Sequence, residues 1–426
     1  MTSPFATPPH PITGGKLSPF TVSVPDAEIQ KLKTLLELLP IAAPNHANAA
    51  QHAGRFGVTR DWLASAVAHW ADPTAFDWRA HEATINSVPH FKLDVADDYD
   101  ASGSGKPYTI HFAALFSANP DALPILLMHG WPGSFAEFLP ILLALQERYK
   151  DDPAALPYHL VVPSLTGFGF SSPPPVDVDL TTEDQARIMA KLMATLGFGK
   201  KKGGAAAAAG GTGGYLVQGG DVGSIVGTAM AALYDDVRGA HLNMIMLREP
   251  PPGVDAAAIK YSERELEKME DGKRFLETGS DYARIHGNKP STVGLAVGSS
   301  PVALLAWIGE KMLAWSDPAT QPSLDDILRN ISIYWFSGCY PTSIWFYRNF
   351  VDRSRISEKI TWKGIKGKPV GFSSFRREIS LPPKAWLDAT GVVSWYREHE
   401  QGGHFAALER PQVLWKDVED FIRESF

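Results

Sequence analysis

The spacing of apolar positions changes twice along the chain and then returns to its second pattern. From about Leu17 to about Tyr108, short amphipathic helical stretches (Ala27 to Leu39 and Arg60 to Trp70) are separated by loops. After Tyr108 the pattern becomes short apolar runs alternating with helices. Pro124-Ile-Leu-Leu-Met128 and Leu160 to Val162 are runs closed by Pro and Gly, as expected of strands buried on both faces. One helix can be predicted closely. Thr182 and Gln185 have the spacing of a capping box, Ile188, Met189, Leu192, Met193 and Leu196 share one face, and Gly197 ends the run. Strand alternating with helix predicts an α/β fold built on a mostly parallel, doubly wound sheet.

From about Pro250 to Phe350 that alternation stops. The stretch is helical and rich in aromatic residues, with Trp307, Trp315, Trp335 and Trp345, and it predicts a helical lid over the C-terminal edge of the sheet. Strand and helix then resume through Trp395 and close with a helix from about Arg410 to Phe426. The expected organisation is an N-terminal extension wrapping the core (1–107), an α/β core (108–249 and 351–426) and a lid (250–350).

Composition narrows the function. In 426 residues, 44% are apolar, enough for a large core, and the net charge of −7 comes from interleaved acids and bases. No basic block suggests nucleic acid as a partner. The single cysteine, Cys339, excludes an intramolecular disulfide and a cysteine metal site. Met1 to Lys16 lacks the apolar run of a secretory signal, and no apolar run approaches the roughly 20 residues of a membrane span. A soluble cytoplasmic protein without a spanning segment is expected. Lys200 to Gly214 is a Gly/Ala-rich stretch without the spacing of a phosphate-binding loop, and it predicts a surface loop.

The chemistry centres on Tyr215-Leu-Val-Gln-Gly-Gly-Asp221-Val-Gly-Ser224, an apolar strand running into Gly-x-Asp-x-Gly and then a helix. Small residues on both sides let a chain turn sharply and expose the central side chain, the geometry of a nucleophile elbow. A helix-capping aspartate accounts for the same residues, and the segment alone does not decide between them. His129-Gly-Trp-Pro-Gly133 follows a predicted strand directly. A turn there can aim the Trp131 N–H at the same point as the Val222 N–H, making a two-donor oxyanion hole, with His129 holding the turn. Near the C-terminus, Gln401-Gly-Gly-His404 places a histidine on a glycine-flanked loop free to reach the elbow. His399, five residues earlier, has no third partner for a metal.

These segments together resemble the epoxide hydrolases of the α/β-hydrolase fold, in the branch holding the microsomal and fungal enzymes. The likeness runs over nearly the whole chain, through H-G-W-P-G-S, Pro163 to Ser172, G-G-D-V-G-S, Lys289 to Gly294 and Gly402 to Pro411. The resemblance implies a triad of Asp221, His404 and Glu378, although Glu378 beside Arg376 and Arg377 also reads as a surface glutamate. It implies that Tyr282 and Tyr347 hold and protonate the epoxide oxygen, with Tyr334 and Tyr340 as packing residues. It further implies a hydrophobic epoxide and water as reactants, no metal or organic cofactor, and, by analogy alone, a homodimer. The segment at 200–214 departs from the family by its length. Two other readings share some of these residues. A dehalogenase would replace the phenols with halide-binding groups, and a catalytically dead carrier would bind a hydrophobic ligand without turning it over.

Overall fold

The computed structural model describes residues 3–96, 107–200, 213–356, 360 and 364–426. Most of the Gly/Ala-rich stretch at 200–214 therefore lies outside the described residues. Nine strands form one sheet: β1 (Leu17–Phe20), β2 (His90–Val95), β3 (Tyr108–Leu115), β4 (Leu123–Met128), β5 (Tyr158–Pro163), β6 (Tyr215–Gly219), β7 (Val237–Leu242), β8 (Val370–Ser374) and β9 (Val393–Glu398). Their order is β1-β2-β3-β5-β4-β6-β7-β8-β9. The first three pairings are antiparallel and all the rest parallel. Helices cover both faces of the parallel part, so β5 and β6 are buried along their whole length and carry no polar alternation.

The predicted helix spans Thr182–Thr195, and Gly197 (φ 88°) turns the chain away as expected. Its cap lies one residue earlier than the sequence suggested. The Thr181 hydroxyl accepts from the Asp184 N–H, and the Asp184 carboxylate accepts from the Thr181 N–H. Apolar periodicity fixes which face points inward but not which of two adjacent threonines begins the helix. Asp184 fills the role assigned to Gln185, whose side chain is buried.

Residues of the N-terminal stretch contribute β1 and β2 to the sheet, and their helices reach the lid as well. Helix Arg60–Ala71 sends the Trp70 indole N–H to Ser332 Oγ at 3.0 Å, and His69 meets Asp325 at 2.7 Å. Trp62 lies so close to Gly309 that a Cβ there would come within 2.6 Å of its ring. Trp78 packs on Phe336 with ring centroids 4.9 Å apart. Ser332 and Phe336 sit on helix Leu324–Ser337, in the helical stretch inserted between β7 and β8 and here called the lid, so the N-terminal helices brace that stretch. Among the described residues, no single helix is long and apolar enough to cross a membrane.

β4 and β6 are parallel neighbours, with Met128 beside Gly219, so the loops leaving their C-terminal ends begin side by side. Ligand sites of such sheets form where the strands end in this way. The helix leaving β6, Asp221–Leu233, presses against β4: a Cβ on Gly223 would lie 2.2 Å from the Met128 carbonyl oxygen. At Gly227, one turn on, an added Cβ would meet only ordinary contacts at 3.5–3.6 Å. Gly223→Ala is therefore expected to cost about 1–3 kcal/mol through overpacking. Gly227→Ala should be neutral or stabilising by up to about 1 kcal/mol, because alanine favours helix. Urea denaturation of both variants checks this, and equal losses at the two sites would contradict the contact geometry.

Candidate active site

Asp221 opens the helix that follows β6 with φ 46°, the only non-glycine residue with positive φ among the described residues. Asparagine and aspartate tolerate this region better than other side chains, but it remains strained. The turn is possible because its neighbours have no side chains. A Cβ on Gly219 would lie 2.3 Å from the Gly223 carbonyl, and one on Gly130 would lie 2.2 Å from Asp221 Oδ1. No side-chain cap bond forms at this helix start, so the capping role does not account for Asp221.

The carboxylate is held from two directions. The Trp131 N–H donates to Oδ1 at 2.8 Å. Val222, the next residue, lies in the first turn of the helix, where backbone N–H groups have no carbonyl one turn back to bond. On the other side His404 Nε2 stands 3.3 Å from Oδ2, close enough for charge but without hydrogen-bond geometry. His404 Nδ1 meets Glu378 Oε1 at 2.8 Å, and both side chains are fully buried. Glu378 reaches this position because the chain beyond β8 stays alongside the chain beyond β9. The Arg377 N–H donates to the Gly402 carbonyl at 2.9 Å, extending the pairing past the strand ends. Glu378 is thus a buried partner of His404, not a surface residue.

Burial alone would lower the imidazole pKa. Glu378 and Asp221 outweigh it and hold His404 well above the usual histidine value, so the ring is charged between two carboxylates.

Tyr282 and Tyr347 come from two separate lid segments, and their rings meet edge-on with centroids 5.5 Å apart. Burial raises both phenol pKa values well above the ordinary value, and the nearby Asp221 charge pushes the same way. The Trp131 indole orients the pair, stacking on Tyr282 at 5.3 Å and meeting Tyr347 edge-on at 5.6 Å. Asp221, Val222, Tyr282 and Tyr347 line a cavity of about 330 Å³, whose walls include Met244, Leu247, Phe275, Leu381 and Trp386. The other two lid tyrosines bond elsewhere. Tyr334 donates to the Gly133 carbonyl at 2.9 Å, and Tyr340 lies 3.2 Å from His286 Nε2.

His129 holds the turn after β4. Its Nδ1 bonds the Gly130 carbonyl at 3.0 Å and its Nε2 accepts from the Leu165 N–H at 3.2 Å. Burial brings its pKa down to about 4, which keeps it neutral and fixes that pattern.

The freedom expected of the His404 loop is absent. The His404 N–H donates to the Trp315 carbonyl at 3.0 Å, and the Gly402 N–H donates to Asp317 Oδ2 at 2.8 Å. Glu409 accepts from the N–H groups of Asp317 and Phe405. The glycines let the chain approach the lid closely: a Cβ on Gly403 would lie 2.6 Å from the Trp315 carbonyl. Trp315, Asp317 and Glu409 were not legible as site residues, because their partners lie far away in sequence. Glu137, near Asp221, was legible: Ser134-x-x-Glu137 is a capping box, and the structure forms it.

A strand–turn–helix elbow at the end of a central parallel strand, faced by a histidine and a buried carboxylate from later strands, defines the α/β-hydrolase class. Residues 124–202 match the family model for the alpha/beta hydrolase fold, and residues 17–138 match that for the epoxide hydrolase N terminus. A protein of Dothistroma septosporum, provisionally named an epoxide hydrolase, is 40% identical over 412 residues, spanning 96% of this chain and 91% of its own. The solved Aspergillus niger epoxide hydrolase is also 40% identical, covers 99% of this chain and 100% of its own, and superposes with a TM-score of 0.85. Juvenile hormone epoxide hydrolase from Bombyx mori is 25% identical, with 96% and 94% covered and a TM-score of 0.79. The chain belongs to the epoxide hydrolase family.

Tyr334→Phe is expected to cost about 1–3 kcal/mol of stability, because it leaves the Gly133 carbonyl unpaired in a dry turn. Chemical denaturation measures this, and an unchanged midpoint would mean the tyrosine does not hold the turn.

Proposed function

We propose that this enzyme converts a hydrophobic epoxide to a vicinal diol through a covalent ester on Asp221. The observation that carries this reading is the placement of Asp221. One of its oxygens sits on the Trp131 N–H and the other beside His404, in a cavity it shares with two phenols whose rings touch edge-on.

In this scheme the apolar walls hold the substrate and Tyr282 and Tyr347 bond to the epoxide oxygen. Asp221 Oδ2 attacks a ring carbon, the carbon–oxygen bond of the ring breaks, and a phenol proton moves to the forming alkoxide. High phenol pKa values keep that proton in place until the alkoxide, a stronger base, develops. Oδ1 becomes the ester carbonyl oxygen, already resting on the Trp131 N–H, with Val222 as the second oxyanion donor.

Ester formation also switches on the base. It removes the charge of Asp221, one of the two carboxylates that hold His404 protonated. The imidazole pKa falls, the ring gives up its proton by way of solvent while the phenolate regains one, and the neutral ring then accepts a proton from water as the water oxygen attacks the ester carbonyl. Collapse of the tetrahedral adduct expels the alkoxide, which takes the proton of the newly added hydroxyl and leaves as the diol, restoring the Asp221 carboxylate beside a protonated His404. Glu378 orients the ring throughout through Nδ1.

A single turnover in ¹⁸O-labelled water tests the route. The label is expected in the carboxylate of Asp221 and not in the first-turnover diol, and label in that diol would overturn the scheme. His404→Gln is expected to trap the ester, seen as a mass increase on the peptide holding Asp221.

The pH dependence has a definite sign. Ester hydrolysis needs neutral His404, so its rate should rise with pH through the imidazole pKa of the ester form and then level. Glu378→Gln removes the remaining anion that favours the charged ring, so the rise should move to lower pH with a lower plateau. A shift to higher pH in stopped-flow single turnovers would contradict this.

A further inference from the structure

A second, much smaller chamber of about 20 Å³ lies against Asp221. Its volume suits one water molecule, which needs roughly 10–15 Å³. Among the described residues Asp221 alone lines both this chamber and the 330 Å³ cavity, so it stands between them. His404 lines the small chamber and not the large one. The base therefore faces a space the size of one water, across the nucleophile from the phenols.

Five polar side chains besides Asp221 line this chamber: His129, Trp131, Glu137, Asn243 and His404. Both ring nitrogens of His129 are taken by the turn after β4, and the Trp131 indole N–H can only donate, so acceptors for a water come from the other three. Asn243 is held by its Oδ1, which accepts from Gln218 Nε2 at 2.9 Å. Glu137 is held by its Oε1, which accepts from the Ser134 N–H at 3.1 Å in the capping box that starts the turn Phe135–Phe138. The carboxyl sits where a side chain on Gly133 would otherwise be: a Cβ there would lie 1.4 Å from Glu137 Oε1. Oε2 has no protein hydrogen-bond partner among the described residues. A cap needs one oxygen, which leaves the second, on a residue that lines the chamber, available to another donor.

We propose that this chamber holds the hydrolytic water and that Glu137 binds it, accepting one of its hydrogens while His404 Nε2 takes the other. This rests on the covalent reading of Asp221. In the step itself the water oxygen bonds to the ester carbon of Asp221, and its proton passes to His404. The second hydrogen stays on the oxygen, directed at Glu137 Oε2, and so fixes the lone pair that attacks. Desolvation pushes the Glu137 carboxyl up to about 8, with His404 opposing and Asp221 adding to the rise. With or without its proton the group keeps acceptor capacity on Oε2.

Glu137→Gln separates this role from capping. The amide oxygen can satisfy the Ser134 N–H, but the group then turns an NH₂ toward the chamber, which donates and cannot accept. Quenched-flow mass spectrometry of the Asp221 peptide is expected to show alkylation within twofold of wild type. Hydrolysis should be slowed about tenfold, the kinetic equivalent of one hydrogen bond. In steady state kcat and KM should fall together with kcat/KM unchanged, a pattern that general loosening of the fold does not give. Ser134→Ala, which weakens the cap and spares the carboxyl, should lower thermal stability without building up ester. Glu137→Asp, which withdraws the oxygen from the chamber, should give the same kinetic split if the glutamine variant is too unstable to assay. Unchanged hydrolysis in both Glu137 variants, or equal slowing of the two steps, overturns the assignment while leaving the covalent route intact. Failure to detect any ester in wild type and variants alike overturns the covalent route, and this assignment with it.

Discussion

The left-handed backbone at Asp221 is the constraint on which the rest of the site depends. A non-glycine residue at φ 46° costs of order 1–3 kcal/mol and persists only where its surroundings fix it. Here the surroundings are backbone packed on backbone. Gly219 and Gly223 touch across the turn, Gly223 touches the end of β4, and Gly130 touches the carboxylate. Because β4 and β6 are adjacent and in register at their ends, this crowding also brings the Trp131 N–H to 2.8 Å from the raised carboxylate. The strain and the oxyanion contact have one origin.

Charge then organises what surrounds the turn. Asp221, His404 and Glu378 place one imidazole between two carboxylates in a dry region, where each charge is tolerable only beside the others. The imidazolium compensates whichever carboxylate is ionised, so a change at Asp221 is felt at once by His404. The bonds that fix His404 make this coupling useful, since a ring free to swing would exchange Glu378 for solvent. Those bonds come from the lid segment at Trp315 to Asp317 and from Glu409, which means the lid both supplies the phenols and anchors the histidine.

The lid is fixed from above in the same manner. Trp62, Trp70 and Trp78, all from the N-terminal helices, pack against lid helices, while β1 and β2 from the same stretch join the sheet. One segment thus grips both layers. Tyr282 and Tyr347 sit on different lid elements, and the distance between their hydroxyls and Asp221 depends on the lid keeping its position.

The sequence by itself determined the period and order of the elements, because apolar spacing reports which faces are buried. It also marked the elbow, the turn at Trp131 and the loop of His404, because glycine and proline record local backbone demands. Asp221 could not be separated from a capping aspartate on those grounds, nor Glu378 from a surface glutamate, until family likeness was added. Tertiary structure decided the remainder. Which threonine capped a helix, the fixing of His404, the bracing of the lid and the partition of space around Asp221 into two chambers all depend on contacts between segments far apart in the chain. Local pattern carries no record of such contacts, since burial selects a residue's type while its partner is chosen only by the fold.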